Sequence, residues 1–393
     1  MAQVTSFTYL LLHPAKRDSF IIDISLYHYI INIPPIQMKF FTLFFLLLGN
    51  TYAHMPAFPG DTSAAAPYLL TDVTTKSWGI YGTLSDKVVW LAMDGVKDEE
   101  MTVSLQRSSS PANSYDVAIW GPGMAAVNCT PGFYGWAHVS WGHATHDTSE
   151  LPAAVKEAIG SSEVLVLHGD ATEDPEYEPF GVNIYYPLGG CKDRFPASER
   201  YYMALIHDFN KTVHYSLGVG MVESFTLEEL TTMSYVMVHT FVWGGRSLIS
   251  IFSILFFATA LAYALQLYAV SRRGYNQLNQ RSLSSLATQL AWLGAAGLVG
   301  SAAVWLSQLI WCYTKLADLG NKVWIAMLVH ISLPILFAGL ILGTFDPQAL
   351  DQTTKRWFCA GTIVAGALMF FTAWQAYIVF PVFIMLGALV NIF

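Results

Sequence analysis

The chain has 393 residues, of which 54% are hydrophobic and only 12% charged, with a mean hydropathy of +0.42 and a formal net charge of −8. That composition excludes a single soluble domain and points to membrane segments joined to a soluble part. The acidic balance excludes a nucleic-acid partner, which needs a basic footprint.

In chain order, the first complete signal is MKFFTLFFLLLGNTYAHMPAFPG at 38–60. Lys39 supplies a positive start, Phe40 to Leu48 form a short apolar run, and Thr51-Tyr52-Ala53 ends on a small residue. This is the pattern of a cleaved signal peptide over 38–53, and the apolar run is too short for a bilayer, which needs about 20 residues. Met38 is then the expected start and His54 the expected mature N-terminus. Residues 1–37 mix charges with a second apolar patch and end at Pro34-Pro35. They read as an upstream extension of the frame or a disordered segment, the alternative being one long uncleaved anchor.

The remaining charges divide sharply. Residues 54–230 carry 23 Asp/Glu against 9 Lys/Arg, net −14, whereas 231–393 carry 3 against 8, net +5. These are two different objects, an acidic exported domain and an apolar membrane domain. Cys129 and Cys191 fall in the acidic part and are expected to pair, while Cys312 and Cys359 sit in apolar runs and stay reduced. Two sequons, at Asn128 and Asn210, make the chain an expected glycoprotein.

Residues 54–230 are built from short runs separated by Gly, Pro, Asp and Asn. The runs are Trp78-Gly79-Ile80-Tyr81, Val88 to Leu91, Met101 to Leu105, Tyr115 to Trp120, Glu163 to His168, Tyr201 to Ile206 and Thr212 to Val219. Their alternation with period two argues a half-buried antiparallel sheet, and seven in this length suit a β-sandwich or jelly roll. Leu151 to Ile159 is the one good helical stretch.

The order of HMPAFPG, TKSWGIYGTL, IWGPG, PEYEPF, FPASERYYMALIHD and HYSLGVGMVESFTLEEL resembles a widespread, poorly characterised family of membrane proteins. Its members carry a signal peptide, a jelly-roll-like ectodomain and C-terminal membrane helices. The resemblance covers about residues 54–250 and implies no activity and no catalytic residues. The histidine-rich stretch GFYGWAHVSWGHATHDTSE departs from the pattern.

Thr226 and Glu229 have the spacing of a capping box and open a helix before the membrane. An interfacial helix over 231–246 is expected to end at Gly244-Gly245-Arg246. The domain 247–393 is expected to be a helical bundle of about four spans, near 247–270, 285–313, 322–344 and 358–380. The tail after Pro381 either extends the last helix or re-enters. Arg272, Arg273 and Arg281 in the first loop, with Lys355 and Arg356 in the third, belong in the cytoplasm, which leaves 54–230 outside or in the lumen of the secretory pathway.

Three sets of residues are candidates for chemistry. Gln308, His330 and Gln375 fall in the outer half of the bundle as a polar pocket or, more plainly, an interhelical hydrogen-bond cluster. A bis-histidine haem would need a second buried histidine, and His239 precedes the Gly-Gly break. His54, with its amine and imidazole, could join His138, His143 and His146 at a copper or zinc site, although the spacing matches no standard motif and a solvated loop is the plainer reading. Asp170, Glu173, Asp174, Glu176 and Glu178 could take calcium but lack EF-hand spacing. No G-x-S-x-G, H-E-x-x-H, P-loop or Rossmann signature occurs. The expected function is therefore binding or presentation of an extracellular or lumenal ligand without catalysis, the alternative being a copper-binding or copper-linked redox membrane protein.

Overall fold

The computed structural model describes residues 55–85, 87–108, 114–129, 144–169, 175–178, 181–207, 212–220, 227–272, 283–316, 319–320, 323–344, 351–372 and 379–392. The first part is all-β and forms two six-stranded sheets. One sheet holds β1 (Met55–Ala57), β3 (Trp78–Leu84), β12 (Val213–Val219), β5 (Glu100–Arg107), β10 (Asn183–Arg194) and β9 (Glu176–Glu178), in that order. The other holds β2 (Tyr68–Leu70), β4 (Val89–Asp94), β11 (Arg200–Ile206), β6 (Asp116–Trp120), β8 (Val164–Leu167) and β7 (Ala144–Thr145). β1 runs parallel to β3 and β2 parallel to β4; the remaining pairs are antiparallel. All seven expected runs are strands.

Period two decides which side chains meet. In β11, Tyr201, Met203 and Leu205 point into the core between the sheets, while Ala204 and Ile206 point outward. β6 and β8 divide in the same way. Their outward residues Ala118, Trp120, Val164 and Val166 are covered by α1 (Ala153–Ile159) through Val155 and Ile159. The Cys129–Cys191 disulfide forms, with 4.8 Å between the Cα atoms, while Cys312 and Cys359 are free and buried.

After β12 the chain becomes helical. The first helix, α2 (Leu227–Trp243), packs on the outer face of the first sheet, where Trp243 meets Tyr81 and Tyr185 and its indole N–H donates to the Gly82 carbonyl at 3.2 Å. Thr226 lies outside the described residues, and the Glu229 carboxylate receives Lys76 of the sandwich. A Schellman motif ends α2. Gly245, at φ 99°, donates to Val242, and Arg246 donates to Phe241.

Next come α3 (Leu248–Arg272) and α4 (Leu283–Lys315). The following helix, α5, comprises Val323–Ala326, a π-helical turn at Met327–Ser332, and Leu333–Thr344. Last are α6 (Gln352–Thr372) and α7 (Val379–Ile392). α4 is the axis of the bundle. Gly300 takes Thr259 and Leu255 of α3 at close range. A Cβ on Gly297 would lie 2.1 Å from the Phe380 ring, so only glycine admits α7 at that point. α7 runs antiparallel to the first half of α4. Phe380 lies at Gly294 and Gly297, while Asn391 donates to the Thr288 hydroxyl at 3.4 Å. Gly366 of α6 faces Pro381 and Ile384 of α7.

Among the described residues, two helices, α3 and α4, are long and apolar enough to cross a membrane. The expectation of four spans is not reproduced at this level. α5 is interrupted by its π turn, and α6 opens with Lys355 and Arg356. The 14 residues of α7 reach about 21 Å against a hydrocarbon core of about 30 Å. Pro381 sits in the first turn of α7, where its missing N–H costs little.

Candidate functional site

The sandwich and the helices share one core. Phe241 of α2, Leu255 of α3 and Trp305 and Leu309 of α4 belong to the same packed cluster as Leu217 and Val219 of β12. At its centre the turn between β9 and β10 meets the upper part of α4. Val182, fully buried in that turn, has φ 48°. A β-branched residue is strained in this region and holds it only where its surroundings impose it. Two donors from α4 do so: Gln308 Nε2 reaches the Val182 carbonyl at 2.9 Å and Cys312 Sγ reaches it at 3.3 Å. Gln308 Nε2 also lies 3.2 Å from Asn183 Oδ1.

Arg246, just past the Schellman motif, braces the other side. Nη1 donates to the Ser307 carbonyl at 2.9 Å and reaches Gln308 Oε1 at 3.5 Å, while Nη2 donates to the Ser307 hydroxyl at 3.1 Å. Burial pushes its guanidinium below the usual range. One turn below Gln308, Trp305 stacks on the His330 ring with centroids 4.0 Å apart and meets Phe241 edge-on at 5.3 Å. His330 sits in the π turn, an irregularity common at functional sites.

Gln308 and His330 are therefore buried around one stretch of α4, at 0% and 2% exposure. Gln308 donates to Val182 and Asn183 of the sandwich and is reached by Arg246 between α2 and α3, rather than by another helix. Gln375 lies outside the described residues. So do His54, His138 and His143 of the expected metal set, as does Asn210. His146 is described, with Nδ1 2.6 Å from the Val164 carbonyl at the edge of the second sheet. Among the described residues no group of three His, Cys, Asp or Glu side chains converges. His239 stacks near Tyr235 and Phe58 on the sandwich side of α2. Glu176 and Glu178 of the acidic run belong to β9, and the Glu178 carboxylate accepts the Gly181 N–H. Asn128 is exposed beside the disulfide.

Val182, Asn183, Arg246 and Trp305 carried no sequence signal of this role. Arg246 read only as part of an interruption, and Asn183 lay in a stretch with no strand pattern. No protein-family model matches the chain, and no curated protein matches it.

A second polar contact near the junction gives a pH prediction. The Tyr81 and Tyr185 hydroxyls are 3.0 Å apart in a fully buried aromatic cluster with Trp243. Burial pushes the Tyr81 phenol up to about 12 and carries Tyr185 well above its usual range. The unfolded chain ionises near pH 10 while the folded protein keeps its proton, so stability is full below pH 10 and lost as pH rises towards 12. Melting between pH 9 and 12 is expected to show this fall, and Tyr81→Phe to flatten part of it. An unchanged slope in that variant contradicts the assignment.

Proposed function

We propose that this chain is a multi-span membrane protein that holds a jelly-roll-like sandwich on the exported side of a membrane, to bind or present a ligand there. The observation that carries the reading is a lipid-facing band between two belts. Ile249, Phe256, Phe257, Leu261 and Leu265 of α3 are all more than half exposed, although the helix is almost entirely apolar. Towards the sandwich the band is bounded by Trp311, Tyr313 and Trp324 with Arg246 and Lys315. At the opposite end stand Tyr268 and Trp357 with Arg272, Lys355 and Arg356. Aromatic belts mark both membrane surfaces, and the cationic excess marks the cytoplasmic one. The second belt is the more cationic, which supports an exported sandwich. β1 to β6 alternate strand by strand between the two sheets, and β10 to β12 do so again, which supports the jelly-roll wiring.

The depth of the C-terminal helices supports a revision of the expected four spans. α7 returns along the first half of α4 and ends beside Ser284, at the end of α4 remote from the sandwich. α3, α4 and α5 then cross the membrane, while α6 and α7 form a re-entrant hairpin that leaves the C-terminus in the cytoplasm.

The test is crosslinking of intact cells with a membrane-impermeant amine reagent. Lys87, Lys97 and Lys156 are exposed on the sandwich. They are expected to react on intact cells or, for an endomembrane location, only in inside-out vesicles, and to trap a discrete partner. Uniform labelling of the cytoplasmic side, or sandwich lysines that react without any adduct, contradicts the reading. The start of the exported chain is tested separately. Met55 of β1 donates its N–H to the Ser77 carbonyl at 2.8 Å, which places the residue next to the expected cleavage point in the first sheet. Terminal sequencing of the native protein should return His54 first, and a terminus upstream of Met38 refutes cleavage there.

A further inference from the structure

Arg246 is more fully braced than an interfacial cation needs to be for solvation alone. Its terminal nitrogens are committed to Ser307 and Gln308, all neutral acceptors. Among the described residues no carboxylate stands within ion-pair distance of it. Glu178, at the end of β9, accepts the Gly181 N–H. The bonds to Ser307 hold the Nη1–Nη2 edge and leave the Nε–Nη2 edge, the face that takes two oxygens of a phosphate or carboxylate side by side. The guanidinium is thus fixed in orientation with no described carboxylate paired to its charge.

Its surroundings select the ligand. Gly245 and Ser247 on either side are exposed, and the Trp311 ring lies beside Gly245. Lys315 lies over that ring, 5.8 Å from its centroid, and adds a second cation with no carboxylate at ion-pair distance among the described residues. Immediately below, Leu248, Ile249 and Phe252 face outward and open the apolar band of α3. An anion held at Arg246 has a second cation, Lys315, on the neighbouring Trp311 ring and an apolar wall running away from it. A soluble anion would use only the first feature, whereas a phospholipid uses both.

We propose that Arg246, fixed by Ser307 and flanked by Trp311 and Lys315, binds the phosphate of an anionic phospholipid in the leaflet on the sandwich side. The inference rests on the membrane reading above.

The test is native mass spectrometry of the purified full-length chain, released from detergent after incubation with phosphatidylglycerol, phosphatidylcholine, glycerol 3-phosphate or inorganic phosphate. Wild type is expected to retain one phosphatidylglycerol in preference to phosphatidylcholine, and neither soluble phosphate. Arg246→Gln should lower that retention about fivefold, the loss expected for one interfacial cation. Arg246→Lys, which keeps the charge without the bidentate edge, should fall between the two, and Arg272→Gln at the far belt should match wild type. Retention by Arg246→Gln equal to wild type overturns the proposal, as does equal retention of phosphatidylcholine or tight binding of either soluble phosphate. Should Arg246→Gln fail to fold, Arg246→Lys decides: retention equal to wild type overturns the proposal. A chain that stays monodisperse without detergent removes the membrane reading itself, a result distinct from a detergent-dependent chain that shows no lipid preference.

Discussion

Opening the Cys129–Cys191 bridge is expected to destabilise the sandwich by about 2–5 kcal/mol, the usual range for a native disulfide in an exported domain. The bridge closes a loop of 62 residues and joins the segment after β6 to β10. β10 is the longest strand, pairing with β5 over most of its length and delivering Asn183 to the junction at its other end. Cys191 is fully buried, so a Cys191→Ser hydroxyl would also lie in the core without water. The cleaner variant is Cys129→Ala with Cys191→Ala, for which thermal melting should fall by roughly 5–15 °C. A melting temperature within 1–2 °C of wild type, about what a minor change in stability gives, refutes a stabilising role. Peptide mapping without reductant is the complementary check and should recover the linked pair.

Trp305→Ala is expected to cost about 3–5 kcal/mol, the range for deleting a buried indole. Trp305 is completely buried, with His330 on its face and Phe241 at its edge. Those two neighbours belong to α5 and α2, so one side chain ties three helices together, one of them mounted on the sandwich. The variant should therefore loosen the sandwich as well as the bundle, and proteolysis of the sandwich in detergent should accelerate along with loss of the helices. Trp324, with more than half of its surface exposed, is the control, and Trp324→Ala should change stability by no more than about 0.5 kcal/mol. Equal losses in the two variants, or a sandwich that keeps its protease resistance in Trp305→Ala, contradict a shared core.

β6 and β11 are buried on both faces over most of their length, with Ala118, Trp120, Ala204 and Ile206 on the α1 side, so their apolar, β-branched and aromatic content made them legible as strands. β10 was illegible. It contains Pro187, Gly189 and Gly190, and its register shifts between Pro187 and Gly189, so the period breaks in mid-strand. Strands β1, β2, β7 and β9 have two or three residues each, too few to show any period. The disulfide was legible because only two cysteines fall in the acidic part. In the helical part, length and apolarity located the helices but not how they pack. Packing is set by where small residues permit approach, and Gly294, Gly297 and Gly387 lock α7 against the first half of α4. Gln308 and His330 are both buried in protein. The partners of Gln308 were out of reach, because Val182 and Asn183 come from a turn more than a hundred residues away and are read only from the tertiary contact.

Protease protection in sealed microsomes tests the central claim most directly, using the full chain with a C-terminal epitope and detection of both the sandwich and the tag. The predicted result is a protected sandwich fragment, digested only after detergent is added, together with loss of the tag in intact vesicles. Digestion of the sandwich without detergent contradicts its placement on the exported side, and a protected tag contradicts the re-entrant hairpin and restores a fourth span.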